Sequence, residues 1–163
     1  MVNTTEKKIY VDSNIPLEHQ IVFLRKSLIN FQYSVFEILK EKFGSAGIEI
    51  FKTIMRQRAR QGIDKIKDKS FEEIKNLAGL PDRILGFQIT QDYIRNDEFQ
   101  YSITFCPYFA ESKRRGMSPE FCNILEEVEI EEVSRNLGEL AEPTRMCQGD
   151  SKCTVRIRNT LGK

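Results

Sequence analysis

The chain has no tryptophan, a single histidine and no apolar run approaching the roughly 20 residues needed to cross a bilayer. The one histidine, His19, lies far in sequence from all four cysteines, which excludes the interleaved Cys/His spacing of a zinc finger. Excess charge is missing too. Lys and Arg number 25 against 24 Asp and Glu, a formal charge of +1, so the overall field attracts neither nucleic acid nor an anionic membrane surface. The opening stretch MVNTTEKKIYVDSNIP lacks the apolar core and small-residue cleavage site of a secretory signal, which points to the cytoplasm. Thiols stay reduced there, so Cys106, Cys122, Cys147 and Cys153 are expected to be free, metal-bound or reactive rather than paired.

What is present describes a protein that folds. Hydrophobic residues make up 40% of the chain and 11 of them are Phe, enough for a real core, and 163 residues fit one domain, 1–163. From Pro16 to Phe43 the residues Leu17, Ile21, Leu24, Leu28, Phe31, Val35, Ile38 and Leu39 recur at three- and four-residue steps, the mark of an amphipathic helix, with Asn14 as its cap. Gly44 and Gly47 interrupt the pattern, and a second helix carrying Ile50, Ile54 and Met55 runs on until Gly62. Ser70 and Glu73 form a capping box for a third segment that Gly79 stops. The helical part thus spans 15–80.

After Pro81 the period changes to two. FQITQDYI and FQYSITF flank RNDE as a hairpin, with Phe99, Tyr101, Ile103 and Phe105 on one face. Cys106-Pro107 opens a helix, Ser118-Pro119 caps another running to about Leu137, and CTVRIR returns to alternation. Without a strand-helix-strand rhythm the expected class is α+β: N-terminal helices packed on an antiparallel sheet built from the central hairpin and the C-terminal strands, with a helix pair between them.

Alternation places Cys106 on the polar face of its strand, at the N-cap of the helix that Pro107 begins. A thiol there faces the positive end of the helix dipole, which lowers its pKa and favours the thiolate; the alternative is a small half-buried residue at a strand end. On the next helix Glu129 falls on the apolar arc between Leu125 and Val133, near Cys122, flanked by Glu126 and Glu132. A carboxylate facing a core is paired, protonated or holding a ligand, or else reaches water at the helix edge. Gly149-Asp150 brings Cys147 and Cys153 onto neighbouring strands, and a carboxylate, Glu142 or Glu129, with Cys106 and Cys153 would suffice for tetrahedral zinc if folding gathered them. Arg56, Arg58 and Arg60, in RQRAR, spread around their helix as a solvated face, and His19 is a surface residue.

FCPYFAESKRRGMSPEFCNILEEVEIEEV followed by QGDSKCTVRIR resembles the C-terminal half of the L-2-amino-thiazoline-4-carboxylic acid hydrolase family, with Cys106, Cys122, Glu129, Gly149, Asp150 and Cys153 filling the family's places. The ending is also similar to the more distant 4-vinyl reductase domain, whose phenol-sensing relatives bind zinc through cysteines and a glutamate; Glu142 and Cys153 match that site and Arg145 stands in place of a further cysteine. The resemblance covers 87–158. It implies hydrolysis of a small cyclic amidine-like substrate, with Cys106 and Glu129 catalytic and Cys122, Cys153 and Arg156 on the substrate; Arg156 or Arg158, on the strand face opposite Cys153, would clamp a carboxylate unless it is simply a solvated strand residue. It equally implies a non-catalytic, sensor-like domain, with zinc on Cys106, Glu142 and Cys153 if a metal is used; otherwise no cofactor is expected. Partners are then a small-molecule substrate or ligand, with no nucleic acid and no membrane, and a homodimer is compatible with the sequence. Cys153 belongs with the site in this reading and Cys147 lies outside it.

Overall fold

The computed structural model describes residues 15–162, and the fold is α+β. Helices α1 (Leu17–Phe43) and α2 (Ser45–Ile63) form an antiparallel pair, followed by the short α3 (Phe71–Leu77) and α4 (Leu80–Leu85). The hairpin β1 (Gln88–Ile94) and β2 (Glu98–Phe105) leads into α5 (Pro107–Arg115) and α6 (Glu120–Asn136), and β3 (Glu139–Thr144) and β4 (Cys153–Arg158) close the chain. All neighbours in the sheet are antiparallel, in the order β1-β2-β4-β3. The last strand therefore sits between β2 and β3, with Tyr101 opposite Val155 and Leu140 opposite Ile157. Among the described residues no helix is long and apolar enough to cross a membrane.

Local chemistry accounts for most boundaries. The Ser70 capping box forms as its spacing predicts: Ser70 Oγ accepts from the Glu73 amide at 3.3 Å, and Glu73 Oε2 accepts from the Ser70 amide at 2.9 Å. The cap expected at Asn14 lies outside the described residues, and Pro16 occupies the N-cap position of α1. Gly79, expected as a stop, instead starts α4, with φ of 71° at its N-cap; Pro81 is accepted within the first turn because its missing N–H has no partner to lose there. At Gly47 the backbones of α1 and α2 nearly touch, and a Cβ would lie 1.9 Å from the Leu39 carbonyl oxygen.

Two apolar clusters carry the packing. One joins α1, α2, α5 and α6 around Tyr33, Phe36, Phe51 and Phe121, where the Tyr33 and Phe121 rings stack with centroids 3.9 Å apart. The other fills the space between the inner sheet face, α3 and the end of α6, around Phe71, Phe99, Tyr101, Leu140, Val155 and Ile157. Cys106 and Phe87 touch both clusters.

The regular stripe of α1 does not face this core. Its buried residues are Ile29, Gln32, Tyr33 and Phe36, one side of the helix, whereas Leu17, Ile21, Leu24, Leu28, Phe31 and Ile38 are exposed. The helix has two apolar faces, and the more periodic one is left outside.

Candidate functional site

The centre of interest is the layer between α6 and the inner face of the sheet. Three glutamates a turn apart on α6 meet three different fates. Glu132 is fully covered and accepts from Arg60 Nε at 2.9 Å and Nη2 at 2.8 Å, with Arg135 Nη1 at 3.2 Å. Glu126, also buried, forms an ion pair with Arg145, whose Nε lies 4.0 Å from Glu142. Between them Glu129 has neither an ion pair nor a hydrogen bond in the described structure. The residue is exposed, although much of the chain is packed around it.

The groups around Glu129 are acidic. Asp82 of α4 and Glu142 of β3 act on the same neighbourhood, and the phenol of Tyr101 on β2 feels all three. Loss of water, reinforced by the negative charge of Asp82, pushes the Glu129 carboxyl up to about 7. Burial and then repulsion from Glu129 and Asp82 push Glu142 up to about 8. Asp82 is also raised by burial, with Arg58 opposing. Burial thus favours the protonated form of all three acids. Tyr101 also lines a cavity of about 120 Å³ with Lys75, Ala78, Arg83, Ile89 and Phe99, on the side of α3 and β1.

The thiols occupy the neighbouring part of the layer. Cys106 takes the N-cap position of α5 as its spacing predicts, its Sγ accepting from the Phe109 amide at 3.4 Å. The expected polar exposure and low pKa are corrected: alternation ends with β2 at Phe105, and the thiol turns inward against both clusters. Desolvation outweighs the amide hydrogen bond and drives Cys106 up to about 12; burial does the same to Cys122. Cys153 accepts from the Met146 amide at 3.3 Å and is raised by burial. Cys147 stands on a 3-10 turn, Met146–Gln148, rather than on a strand, and lies beside Cys122 and 3.8 Å from Asn123 Oδ1, so it joins the thiol group although the family resemblance leaves it outside the site.

Other expectations are redrawn. Among the described residues no group of three or more His, Cys, Asp or Glu side chains is placed to hold a metal ion, so Cys106, Glu142 and Cys153 do not form a zinc site. No hydrogen bond joins Cys106 to Glu129; the charges that bear on Cys106 are those of Cys122 and Cys153. Arg156 points to the outer sheet face, where Tyr93 and Glu98 lie, and is remote from the acids and thiols. RQRAR is not a free solvated face: Arg56 and Arg60 pair with Glu131 and Glu132, and Arg58 turns to Asp82 and Tyr108. The alternative that these acids reach water at the helix edge holds for Glu129, which is exposed, whereas Glu126 and Glu132 are buried in ion pairs. Asp82 and Tyr101 are invisible as site residues in the sequence, because nothing in one sequence brings a helix and a strand to one point, whereas Arg145 is marked only as the residue in place of a cysteine. A search against protein-family models and curated proteins returns no match.

Proposed function

We propose that the chain is a small-molecule-binding protein whose ligand sits in the recess between α6 and the sheet, against Glu129, Asp82, Glu142 and Tyr101. The single observation that supports this reading is Glu129: its two neighbours on α6 each have an arginine, whereas Glu129 is open to solvent without a partner, close to the acidic Asp82 and Glu142. The chemistry favours a compact ligand bearing an amine or amidinium, because a cation would let the clustered carboxyls ionise together. The cyclic amidine suggested by the hydrolase resemblance is of that kind.

A second reading, hydrolysis, draws on the same residue. A carboxyl near 7 takes and returns protons at neutral pH. Glu129 would then accept a proton from water as the oxygen attacks the amidine carbon of a 2-aminothiazoline ring, and return it to the sulfur as the C–S bond breaks, giving the N-carbamoyl thiol. Cys106, held as a neutral thiol, lines the site in this scheme and is not the nucleophile.

Calorimetry with 2-aminothiazoline-4-carboxylate from pH 6 to 9, with chromatography of the same samples for N-carbamoyl-cysteine, separates the readings. Binding that strengthens with pH and yields no product supports the binding protein. Product formation that is lost in Glu129→Gln supports the hydrolase. Neither heat nor product removes this ligand class.

A further inference from the structure

We propose that the exposed face of α1 is the interface of a homodimer, in which two copies of this chain pack their α1 helices together about a two-fold axis. From Leu17 to Ile38 the outward stripe steps by four and three in strict alternation, the heptad pattern that a helix uses to seat knobs in the holes of a second helix. Only at its C-terminal end, through Val35, does this stripe reach the core. Its residues lie about 120° around the helix from the centre of the arc holding Ile29, Tyr33 and Phe36. Among the described residues nothing covers its N-terminal two thirds: Leu17, Leu24 and Phe31 are 67%, 64% and 67% exposed.

The second helix extends the patch. Lys52, Arg56 and Arg60 tie one side of α2 to α6 through Glu127, Glu131 and Glu132, so Ile50 and Ile54, both exposed, fall on the opposite, α1 side. Together the two helices present on the order of 800 Å² of apolar surface, more than monomers ordinarily expose and about what each partner contributes to a stable interface. One flank of the stripe is Gln20, Ser27 and Ser34; the other carries Glu18, Arg25 and Gln32, and the long side chains of Glu18 and Arg25 can keep their charges at the rim of a helix pair. A stripe that is alike in both copies is self-complementary, as a two-fold contact requires.

The test is sedimentation velocity on the full chain at about 1 to 100 μM, the range in which the weakest interfaces of this size still associate, beside the double variant Leu24→Glu, Leu28→Glu. The expected result is a wild-type species of twice the 19.0 kDa chain mass and a monomeric variant with unchanged helical circular dichroism. Should the double variant lose helix, Leu17→Glu in the first turn replaces it with the same expected loss of dimer. Hydrogen exchange gives an independent reading: amides from Leu17 to Phe31 slow as concentration rises. A wild-type chain that stays monomeric throughout overturns the proposal, and sedimentation of that monomer with phosphatidylcholine vesicles would assign the face to lipid instead. A wild-type dimer that both variants preserve overturns it as well, because the contact then lies elsewhere.

Discussion

Arg60 grips Glu132 through two hydrogen bonds, 2.8 and 2.9 Å long, at a point where the carboxylate has no solvent contact although the guanidinium is half exposed. The carboxylate is covered chiefly by arginine side chains at the α2–α6 seam, not by the deep core, so its desolvation is limited. Arg60→Met should destabilise the fold, by less than breaking a deeply buried pair does, because Arg135 remains at 3.2 Å. The pair holds the Glu132 carboxyl below its ordinary value, so its stabilisation is present above pH 4.5 and is lost as pH falls further. Chemical denaturation at pH 7 and pH 3 checks both: the wild-type advantage over Arg60→Met shrinks at pH 3.

Glu129 predicts the opposite sign. Its folded pKa, about 7, exceeds the ordinary 4.5, so the folded state is most favoured below pH 4.5 and loses stability as pH rises through 7. Glu129→Gln removes that loss and should stabilise the fold at pH 8 by about 1–2 kcal/mol, a value reduced for the water that reaches the side chain. At pH 4.5 the variant and wild type should melt together. A variant less stable than wild type at pH 8 would mean that Glu129 is ionised and paired.

Thiol reactivity offers a third check. With Cys106 and Cys122 near 12 and desolvated, their alkylation at pH 7.5 should be roughly 100-fold slower than that of Cys147, the least enclosed of the four. Peptide mapping after brief iodoacetamide treatment reads the order. Early labelling of Cys106 at mildly acidic pH would restore it as a thiolate nucleophile.

Gly47→Ala should be severe for its size. The new Cβ would meet the Leu39 carbonyl, which is backbone and cannot swing away, so α1 and α2 must separate. A loss of about 3 kcal/mol, or about 10 °C in melting temperature, is expected. Gly62→Ala in the same helix, where nothing lies within 4 Å, is the control and should be neutral or slightly stabilising.

Much of this architecture is legible in local chemistry. The Ser70 box, the 88–105 hairpin and the Cys106-Pro107 helix start each depend on neighbours within a few residues, and each forms. Periodicity located α1 correctly but said nothing about which of its apolar faces the core would choose; that depends on Phe51 and Phe121, which arrive from other helices. The site was half legible. Glu129 stood out because an acid on an apolar arc demands a reason, whereas Asp82 and Tyr101 look ordinary in sequence and gain meaning only by proximity. Cys106 misled because a cap position and a dielectric act in opposite directions, and only the fold sets the dielectric.

The place of β4 has a consequence for how the chain is made. The strand pairs β2 on one side and β3 on the other, yet it is made after both. During synthesis β3 has no strand to join, and the hairpin waits with an open edge until the residues from Cys153 onward emerge. Assembly of the sheet thus waits for β4, and a chain cut short of Cys153 would keep its helices and have a split sheet.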